Sequence, residues 1–256
     1  MRKTSVFPSV YEETSIVHQK VAESFVDGIK ITIDDSRSYL VGNLALTEGV
    51  APHKFLNPSP EEFDYRIISM AALVLATGGK YLKLKVTTGF PFISYLSYKQ
   101  AALSYLKGEH NIQIDSRPFG GGAIETVKIS IDSIDIISEV EGCVKAIRLG
   151  DIGETDNFFI ASLGFGTFEL ALSNPSGLVT RTTHSSRGIQ YAISVMEKEL
   201  IKTQYISMIS EKQLEEAFQR GYIIINRKKM DIKDIRSKAI QIYYSEVISP
   251  AMKKKF

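Results

Sequence analysis

Two glycines and a threonine lie in a segment that could hold an anion. The apolar stretches 158–161 and 168–172 predict two strands of a β-hairpin, and Leu163-Gly164-Phe165-Gly166-Thr167 lies at its tip. Gly164 and Gly166 tolerate positive φ and turn successive backbone N–H groups toward an anion, while Thr167 adds a hydroxyl. The chemistry that this segment predicts is therefore the binding of a phosphate.

Other residues with chemical potential give weaker signals. Gly120-Gly121-Gly122 lies between two predicted strands and not before a helix N-terminus, which favours a flexible hairpin turn over a phosphate cradle. The single cysteine, Cys143, excludes an intramolecular disulfide and fits a reducing compartment. The four histidines are far apart, without the spacing of metal ligands: His18, His53, His110 and His184. We therefore predict no metal held by protein side chains alone.

Strands and helices alternate before and around the glycine-containing tip. A hairpin is predicted over 26–33 and 38–41, with Asp34-Asp35-Ser36 as its turn. The apolar spacing predicts helices over 60–77 and 95–106, with a buried strand at 81–87 and a turn at 89–91 between them. Alternation predicts strands over 125–137, and the last third is predicted to be almost wholly helical, over 189–202, 210–220 and 231–249.

Composition excludes several classes of protein. The 256 residues are 44% hydrophobic and 23% charged, as in an ordinary globular protein. The net charge of +2 arises from basic and acidic residues that are mixed along the chain, so it predicts no direct binding of nucleic acid. The longest apolar run, 70–76, is too short to cross a bilayer, and the N-terminus lacks the apolar region of a secretory signal. We therefore expect a cytoplasmic protein with no membrane partner.

Four stretches of the sequence, in consistent order, resemble the actin-like ATPases of the ParM/StbA plasmid-segregation type. The turn Thr88-Gly89-Phe90-Pro91 is similar to the threonine-glycine-leucine-proline turn of these proteins. The segment 159–170, with Ser185-Ser186-Arg187-Gly188-Ile189 and a helix after it, resembles their second phosphate loop and the segment next to that loop. Two shorter family segments are resembled by Phe7-Pro8-Ser9-Val10 and by Tyr39 to Ala45 together with the helix at 70–77.

The resemblance implies an α/β fold of the actin and sugar-kinase superfamily, with two ribonuclease-H-like lobes. The first lobe, residues 1–155, is expected to be nearly complete, lacking its first strand or hairpin. The second, residues 156–256, is expected to be partial. The 256 residues lack the family's first phosphate hairpin and its C-terminal adenosine motif. We therefore expect either a piece of a larger protein or a short relative that binds a partner instead of nucleotide.

The same resemblance implies the ligand and the residues that bind it. ATP or GTP with Mg²⁺ is the expected cofactor, unless the site binds none. The binding residues carried over from the family are Ser162, Gly164, Phe165, Gly166, Thr167 and Gly188, and Glu141 is the catalytic candidate. Glu139 and Glu141 lie in the region where these proteins carry the residue that orients the attacking water, although a solvated loop is the competing interpretation for both.

Ser162 departs from the family pattern, because the family loop usually opens with an aspartate that holds the metal or its water. A serine hydroxyl brings no negative charge to Mg²⁺. The resemblance therefore implies nucleotide binding more firmly than nucleotide hydrolysis. The segment Asp151-Ile152-Gly153-Glu154-Thr155-Asp156 has the letters of the family loop with its aspartate, but no apolar strand directly precedes it. The sequence leaves open whether the phosphate loop lies at 162–167 or at 151–156. The second segment could instead be a polar surface turn.

The function that the resemblance implies is a cytoskeletal filament protein that segregates plasmid or other DNA. Filament formation requires self-association, and strands missing from a sheet edge would also favour it. The protein is expected to reach DNA through an adaptor protein. The first alternative is a non-hydrolysing scaffold with an eroded nucleotide site. The second is a small-molecule kinase of the same superfamily, which would need a carboxylate base and a complete adenosine pocket.

Overall fold

The computed structural model describes residues 6–18, 28–33, 37–56, 58–78, 80, 82–119, 124–204 and 209–255. The predicted turns at Asp34-Asp35-Ser36 and Gly120-Gly121-Gly122 lie outside these ranges. The chain forms two compact units, one of residues 1–90 and 95–137 and the other of residues 91–94 and 138–256. Whether these units correspond to lobes divided at residue 155 stays a prediction.

The first unit is built on a seven-stranded sheet in the order β4-β1-β3-β2-β6-β7-β5. β2 and β3 pair antiparallel with Ile29 opposite Val41, which confirms the first predicted hairpin. The strands are β1 (Val10–Thr14), β2 (Gly28–Ile33), β3 (Arg37–Gly42), β4 (His53–Lys54), β5 (Leu82–Phe90), β6 (Gly108–Asp115) and β7 (Ile124–Ser138). β6 was not predicted from the sequence, and β7 is one long strand.

Three helices belong wholly or largely to this unit: α1 (Asn43–Glu48), α2 (Phe63–Thr77) and α3 (Phe92–Leu106). The apolar spacing predicted α2 correctly, and its Ile67, Ala71 and Val74 are almost fully buried in the main core cluster. Gly78 ends α2 in the left-handed conformation (φ 64°), and its N–H bonds the carbonyls of the last turn. α3 begins three residues earlier than predicted, and its first residues belong to the second unit.

The second unit contains a three-stranded antiparallel sheet in the order β10-β9-β8. It consists of β8 (Phe158–Leu163), β9 (Thr167–Asn174) and β10 (Gly177–Arg187), and α4 (Glu139–Leu149) packs against it. The later helices are α5 (Gln190–Gln204), α6 (Glu211–Arg220), α7 (Lys233–Tyr243) and α8 (Ser249–Lys255), with a π-helical turn (Tyr244–Ile248) between the last two. Met196, Leu200 and Leu214 form the centre of a core shared by α5, α6 and α7.

The prediction of an almost wholly helical last third is wrong at one place. A two-stranded hairpin, β11 (Tyr222–Ile225) and β12 (Lys228–Asp231), separates α6 from α7. Its turn residues Asn226 and Arg227 both have positive φ (49° and 64°). The hairpin was missed because the turn contains no glycine, the usual signal for this geometry.

No helix within the described ranges is long and apolar enough to cross a membrane.

Candidate functional site

The predicted tip at 163–167 is a tight turn between two paired strands. β8 and β9 pair in a register that places Leu163 opposite Phe168. The N–H of Gly164 donates to the carbonyl of Thr167 at 2.8 Å, which closes the turn around Phe165 and Gly166. The sequence-based prediction of the hairpin is confirmed.

The turn is joined directly to the start of α5. The N–H groups of Gly188, Ile189 and Gln190 donate to the carbonyls of Gly166, Gly164 and Phe165, at 3.0, 3.1 and 3.0 Å respectively. The N–H of Gln190, the first residue of α5, is one that the helix cannot satisfy internally. The hairpin tip therefore caps α5, and Gly188 lies against it. The predicted role of Gly188 in nucleotide binding stays a prediction.

Gly188 is needed at this junction because the two segments approach so closely. A Cβ atom at this position would lie 2.5 Å from the Gly164 carbonyl oxygen and 2.6 Å from the Thr167 nitrogen, and closer still to the Phe165 carbonyl oxygen. No side chain fits without moving the backbone. The role of Gly188 in the structure is therefore close packing of the loop against the helix start.

Gly164 and Gly166 do not use the positive φ that glycine tolerates. The glycines with positive φ in the described ranges are Gly42, Gly78, Gly108, Gly153, Gly177 and Gly221. A Cβ at Gly164 would lie 3.0 Å from the Thr167 carbonyl oxygen, so this glycine too is explained by a close approach. The turn is closed by the hydrogen bond between Gly164 and Thr167 and is held by its carbonyls at the start of α5, without left-handed glycines.

Ser162, at the end of β8, lies beside α4. Its hydroxyl is close enough to the Cys143 thiol to favour the thiolate and so to lower the pKa of that thiol. Burial raises the pKa of the Cys143 thiol, and the charges of Glu139 and Glu169 raise it further, whereas the Ser162 hydrogen bond opposes the rise. The root of the loop therefore adjoins a thiol and two carboxyl groups.

Glu169 is the residue of this site that sequence reasoning missed. It lies in β9, is only 1% exposed, and its Oε1 accepts hydrogen bonds from the Phe92 N–H at 2.6 Å and the Ser185 hydroxyl at 2.8 Å. Its other oxygen, Oε2, is buried without a hydrogen-bond partner among the described residues. The signal that could have found it is a single carboxylate inside the apolar run Phe168-Glu169-Leu170-Ala171.

Glu139 and Glu141 lie in the first turn of α4, which corrects their interpretation as loop carboxylates. Ser138 caps the helix by accepting a hydrogen bond from the Glu141 N–H at 3.3 Å. The Glu141 carboxylate pairs with Lys145 at 2.9 Å, one turn further along the same helix. Nothing in these contacts tests the predicted catalytic role of Glu141, which stays a prediction.

The carboxyl group of Glu139 has a different environment. Its pKa is raised, first because surrounding protein removes part of its hydration and then because the negative charge of Glu169 repels it. Glu139 also contributes to the raised pKa of Cys143. Glu139, and not Glu141, is therefore the α4 carboxylate coupled to the residues at the root of the loop.

The competing loop at 151–156 is a turn between α4 and β8. Arg148 donates to the carbonyls of Glu154 and Asp156, at 2.9 and 3.1 Å, and so holds the turn against the helix. The element before it is α4 and not a strand. This geometry favours the assignment of Ser162–Thr167 as the phosphate loop, although the assignment itself stays a prediction.

The described ranges contain no group of three histidine, cysteine, aspartate or glutamate side chains that could hold a metal ion. Magnesium bound with a nucleotide needs fewer protein ligands, because it keeps several waters and uses one or two carboxylates together with phosphate oxygens. Glu169 lies opposite Ser162 in the β8–β9 pair, and its charge acts on the carboxyl group of Glu139. The buried Glu169 Oε2 lacks a partner in the described part of the chain. The donor set near the loop therefore fits this use.

Comparison with solved structures shows that the chain has the actin-like fold. A ParM filament from Clostridium botulinum is similar with a TM-score of 0.74 at 18% identity, covering 98% of this chain and 79% of that one. The archaeal actin homolog Ta0583 in complex with ADP has a TM-score of 0.71 at 12% identity, covering 96% and 73%. ParM from Bacillus thuringiensis with AMPPNP has a TM-score of 0.60 at 17% identity, covering 97% and 76%.

No protein-family model matches the sequence. No curated protein matches it either. The expectation of an α/β fold of the actin type, drawn from short sequence segments, is confirmed by the structures alone.

Proposed function

We propose that this chain is a cytoplasmic actin-like filament protein, used in segregating plasmid or other DNA, whose assembly depends on a bound nucleotide. The observation that carries the proposal is the hairpin tip 163–167, held by three backbone hydrogen bonds against the start of α5, within an actin-like fold. One similar structure is a ParM filament, and two others contain ADP or AMPPNP. These likenesses support the proposal without identifying the ligand of this chain.

The nucleotide would be ATP or GTP, with its phosphates at the tip. Phe165, Gly166 and Thr167 would provide backbone N–H groups and a hydroxyl, and the bonds to α5 would hold the tip rigid. Gly188 would serve indirectly, because it permits the close approach of loop and helix. A preorganised tip would not have to be ordered at the moment of binding, which improves affinity.

Magnesium would enter with the nucleotide and neutralise phosphate charge. Glu139 is the carboxylate that we assign to it, acting directly or through a bound water, in place of the aspartate that Ser162 replaces. The raised pKa of Glu139 means that its charge is disfavoured without a cation nearby. Cation binding and ionisation of Glu139 would therefore favour each other.

The proposed partners are further copies of the same chain and a DNA-binding adaptor protein. Self-association agrees with the filament formed by the similar ParM. The mixed charge of the sequence, with a net value of +2, favours an adaptor over direct contact with DNA.

A second candidate function is a scaffold that assembles without hydrolysing nucleotide. The specific observation in its favour is Ser162, a neutral residue at the position where the family loop usually has an aspartate. A nucleotide could then bind and control assembly without being cleaved. Phosphate release during assembly separates the two candidates, because only the first produces it.

Calorimetric titration of the chain with ATP or GTP in the presence of Mg²⁺ tests the site. We expect saturable binding, and we expect Gly166→Asp to abolish it because a carboxylate at the tip repels phosphate. Ser176→Asp is the matched control, since it places the same charge in the exposed turn between β9 and β10. Equal binding by wild type and Gly166→Asp, or no binding at millimolar nucleotide, would contradict the proposal.

A further inference from the structure

The hairpin β11–β12 concentrates positive charge at its tip. Arg227, Lys228 and Lys229 follow one another directly, and all three side chains are exposed. Residues 226–238 contain six basic and two acidic residues, whereas the whole chain has a net charge of only +2. Basic and acidic residues are therefore mixed along the chain as a whole, but not at this hairpin.

The charges at the tip are not neutralised by nearby carboxylates. Within the described ranges, Arg227, Lys228 and Lys229 form no salt bridge, and Asp231 pairs with Lys233 instead, at 3.4 Å. The Lys229 ammonium lies 4.0 Å from the centre of the Tyr222 ring, a contact that orients the ammonium without cancelling its charge. Since burial of unpaired cations is costly, the tip stays in solvent and is open to an anionic partner.

The inner face of the hairpin fixes the tip on its unit. Ile223 is buried in the core shared by α5, α6 and α7, and Ile225 and Met230 pack against that core. The N–H of Ile232 donates to the carbonyl of Gly221 at 3.0 Å and closes the base of the hairpin. The exposed cations are therefore carried by a ribbon that is anchored by its apolar side chains.

The conformation of the turn singles out Arg227. Its φ of 64° lies in the left-handed region, which side chains with a Cβ rarely adopt. Glycine is the usual residue at this position of a two-residue hairpin turn, because it adopts positive φ without strain. Backbone strain of this kind is found at functional sites. The strain at Arg227 indicates that its side chain has a use outside the fold.

We propose that the tip of the β11–β12 hairpin binds the phosphate backbone of duplex DNA through Arg227, Lys228 and Lys229. A two-stranded ribbon fits the major groove, which is about 12 Å wide, and arginine and lysine side chains on it reach phosphate oxygens. Interfaces with DNA are polar and strongly positive, as this tip is, whereas the centre of a protein–protein interface is depleted of charge. The chemistry of the tip therefore favours a duplex over an acidic protein.

This inference goes beyond the proposed function, in which an adaptor protein reaches the DNA. Contacts to phosphates carry no sequence information, so the adaptor would still select the DNA. The hairpin would add a weak contact that holds neighbouring DNA against the chain. This contact requires no nucleotide.

Fluorescence anisotropy with a labelled duplex of mixed sequence, measured without nucleotide, tests the contact. We expect wild type to bind with a dissociation constant of about 10⁻⁵ M at physiological salt, and the logarithm of the affinity to fall with the logarithm of salt with a slope of about −2.7 for three phosphate contacts. Replacement of the three cations by glutamine should weaken binding by about tenfold or more and remove most of the slope.

A second triple variant is the matched control. It replaces three exposed lysines of the same unit by glutamine and so changes the net charge equally, but the lysines lie on α5 and α6: Lys198, Lys202 and Lys212. This control should bind the duplex with the slope of wild type. A control that loses as much affinity as the tip variant would mean that overall charge, and not the hairpin, attracts the DNA, and would overturn the proposal.

Arg227→Gly separates a binding role from a structural one. Glycine accepts the positive φ, so the thermal midpoint of unfolding should rise. At the same time the salt dependence should become less steep by about 0.9, because one phosphate contact is lost. A lower midpoint, or an unchanged slope, would contradict the role assigned to Arg227.

The remaining outcomes separate this inference from the proposed function. Equal binding by wild type and the tip variant, or no binding at low salt, overturns the DNA contact. Labelled polyglutamate that binds as tightly as the duplex at equal charge overturns it too, because the tip would then fit an acidic protein. None of these results affects nucleotide-dependent assembly, which is tested with Gly166→Asp. Loss of assembly with DNA binding retained would overturn the filament proposal alone.

Discussion

The buried Glu169 carboxylate accepts a hydrogen bond from the backbone N–H of Phe92, 77 residues earlier in the sequence, at a distance of 2.6 Å. Phe92 is the first residue of α3, where backbone N–H groups lack partners within the helix and a negative charge is favoured. Ser185 donates to the same oxygen from β10. One carboxylate thus joins three segments of the second unit at the root of the candidate loop.

Removal of this carboxylate should destabilise the second unit. Glu169→Leu leaves the Phe92 N–H and the Ser185 hydroxyl without their acceptor, and unsatisfied buried donors cost about 1–3 kcal/mol each. Glu169→Gln keeps a carbonyl acceptor and should cost clearly less. Urea denaturation of the two variants measures the difference, and equal stability of Glu169→Leu and wild type would show that these hydrogen bonds contribute nothing.

Cys143 is the chain's one cysteine, so its thiol reports directly on the two nearby carboxylates. Negative charge disfavours a thiolate, and therefore Glu139→Gln and Glu169→Gln should each lower the pKa of Cys143 and speed its alkylation at about pH 8. Glu141→Gln is the control, because Glu141 pairs with Lys145. The rate of alkylation against pH gives the result. A change with Glu141→Gln as large as that with Glu139→Gln would contradict the assigned environments.

Gly188→Ala should be strongly destabilising because its Cβ would overlap backbone atoms of the hairpin tip. Overpacking of this kind typically costs about 1–3 kcal/mol, and we expect the upper end because backbone atoms cannot rotate away. Gly164→Ala, whose Cβ would lie 3.0 Å from one carbonyl oxygen, is the milder comparison. Thermal unfolding ranks the two, and a Gly188→Ala variant as stable as wild type would mean that loop and α5 are not tightly joined.

Asp115 should make the first unit sensitive to acid. Burial alone would raise its pKa, but hydrogen bonds from Arg117 and Lys30 outweigh burial and lower the pKa from 3.8 to about 2. A lowered carboxyl pKa gives stability that is present above pH 3.8 and is lost as pH falls toward 2. At about 1.4 kcal/mol per pKa unit, this stability is worth about 2.5 kcal/mol.

Asp115→Asn tests this linkage. The variant leaves the buried Lys30 ammonium, 2.9 Å from Asp115 in the wild type, without its counter-charge, and should cost about 3–5 kcal/mol at neutral pH. The cost should shrink as pH falls from about 4 to about 2, where the wild type also loses the charge. Glu13→Gln, which removes an exposed pair with Arg37, should change stability by less than about 1 kcal/mol. A difference between Asp115→Asn and wild type that does not vary with pH would refute the linkage.

Local patterns predicted those parts of the molecule that depend on neighbours in sequence. The helix α2 follows from the apolar spacing of Ile67, Ala71 and Val74, and the hairpin tip follows from two apolar runs around two glycines. The β11–β12 hairpin was missed because Asn226 and Arg227 adopt positive φ without glycine. Asn226 carries part of the local signal for such a turn, but Arg227 stands where glycine usually completes it.

The candidate site was harder to predict because its residues interact across segments that are far apart in the sequence. Nothing local distinguishes Glu139 from Glu141, two residues apart at the start of α4. Only the packing of β9 beside that helix start brings Glu169 close enough to raise the pKa of Glu139. In the same way, the sequence gives no sign that Glu169 bonds to Phe92, because the two residues are far apart along the chain.

Assembly in the presence of nucleotide tests the central claim most directly. Light scattering of the purified chain, with electron microscopy of the same samples, should show filaments after addition of ATP or GTP with Mg²⁺. Wild type and Ser176→Asp should both assemble, and Gly166→Asp should not. Filaments that form equally in all three proteins or without nucleotide, or no filaments under any condition, would contradict nucleotide-dependent assembly.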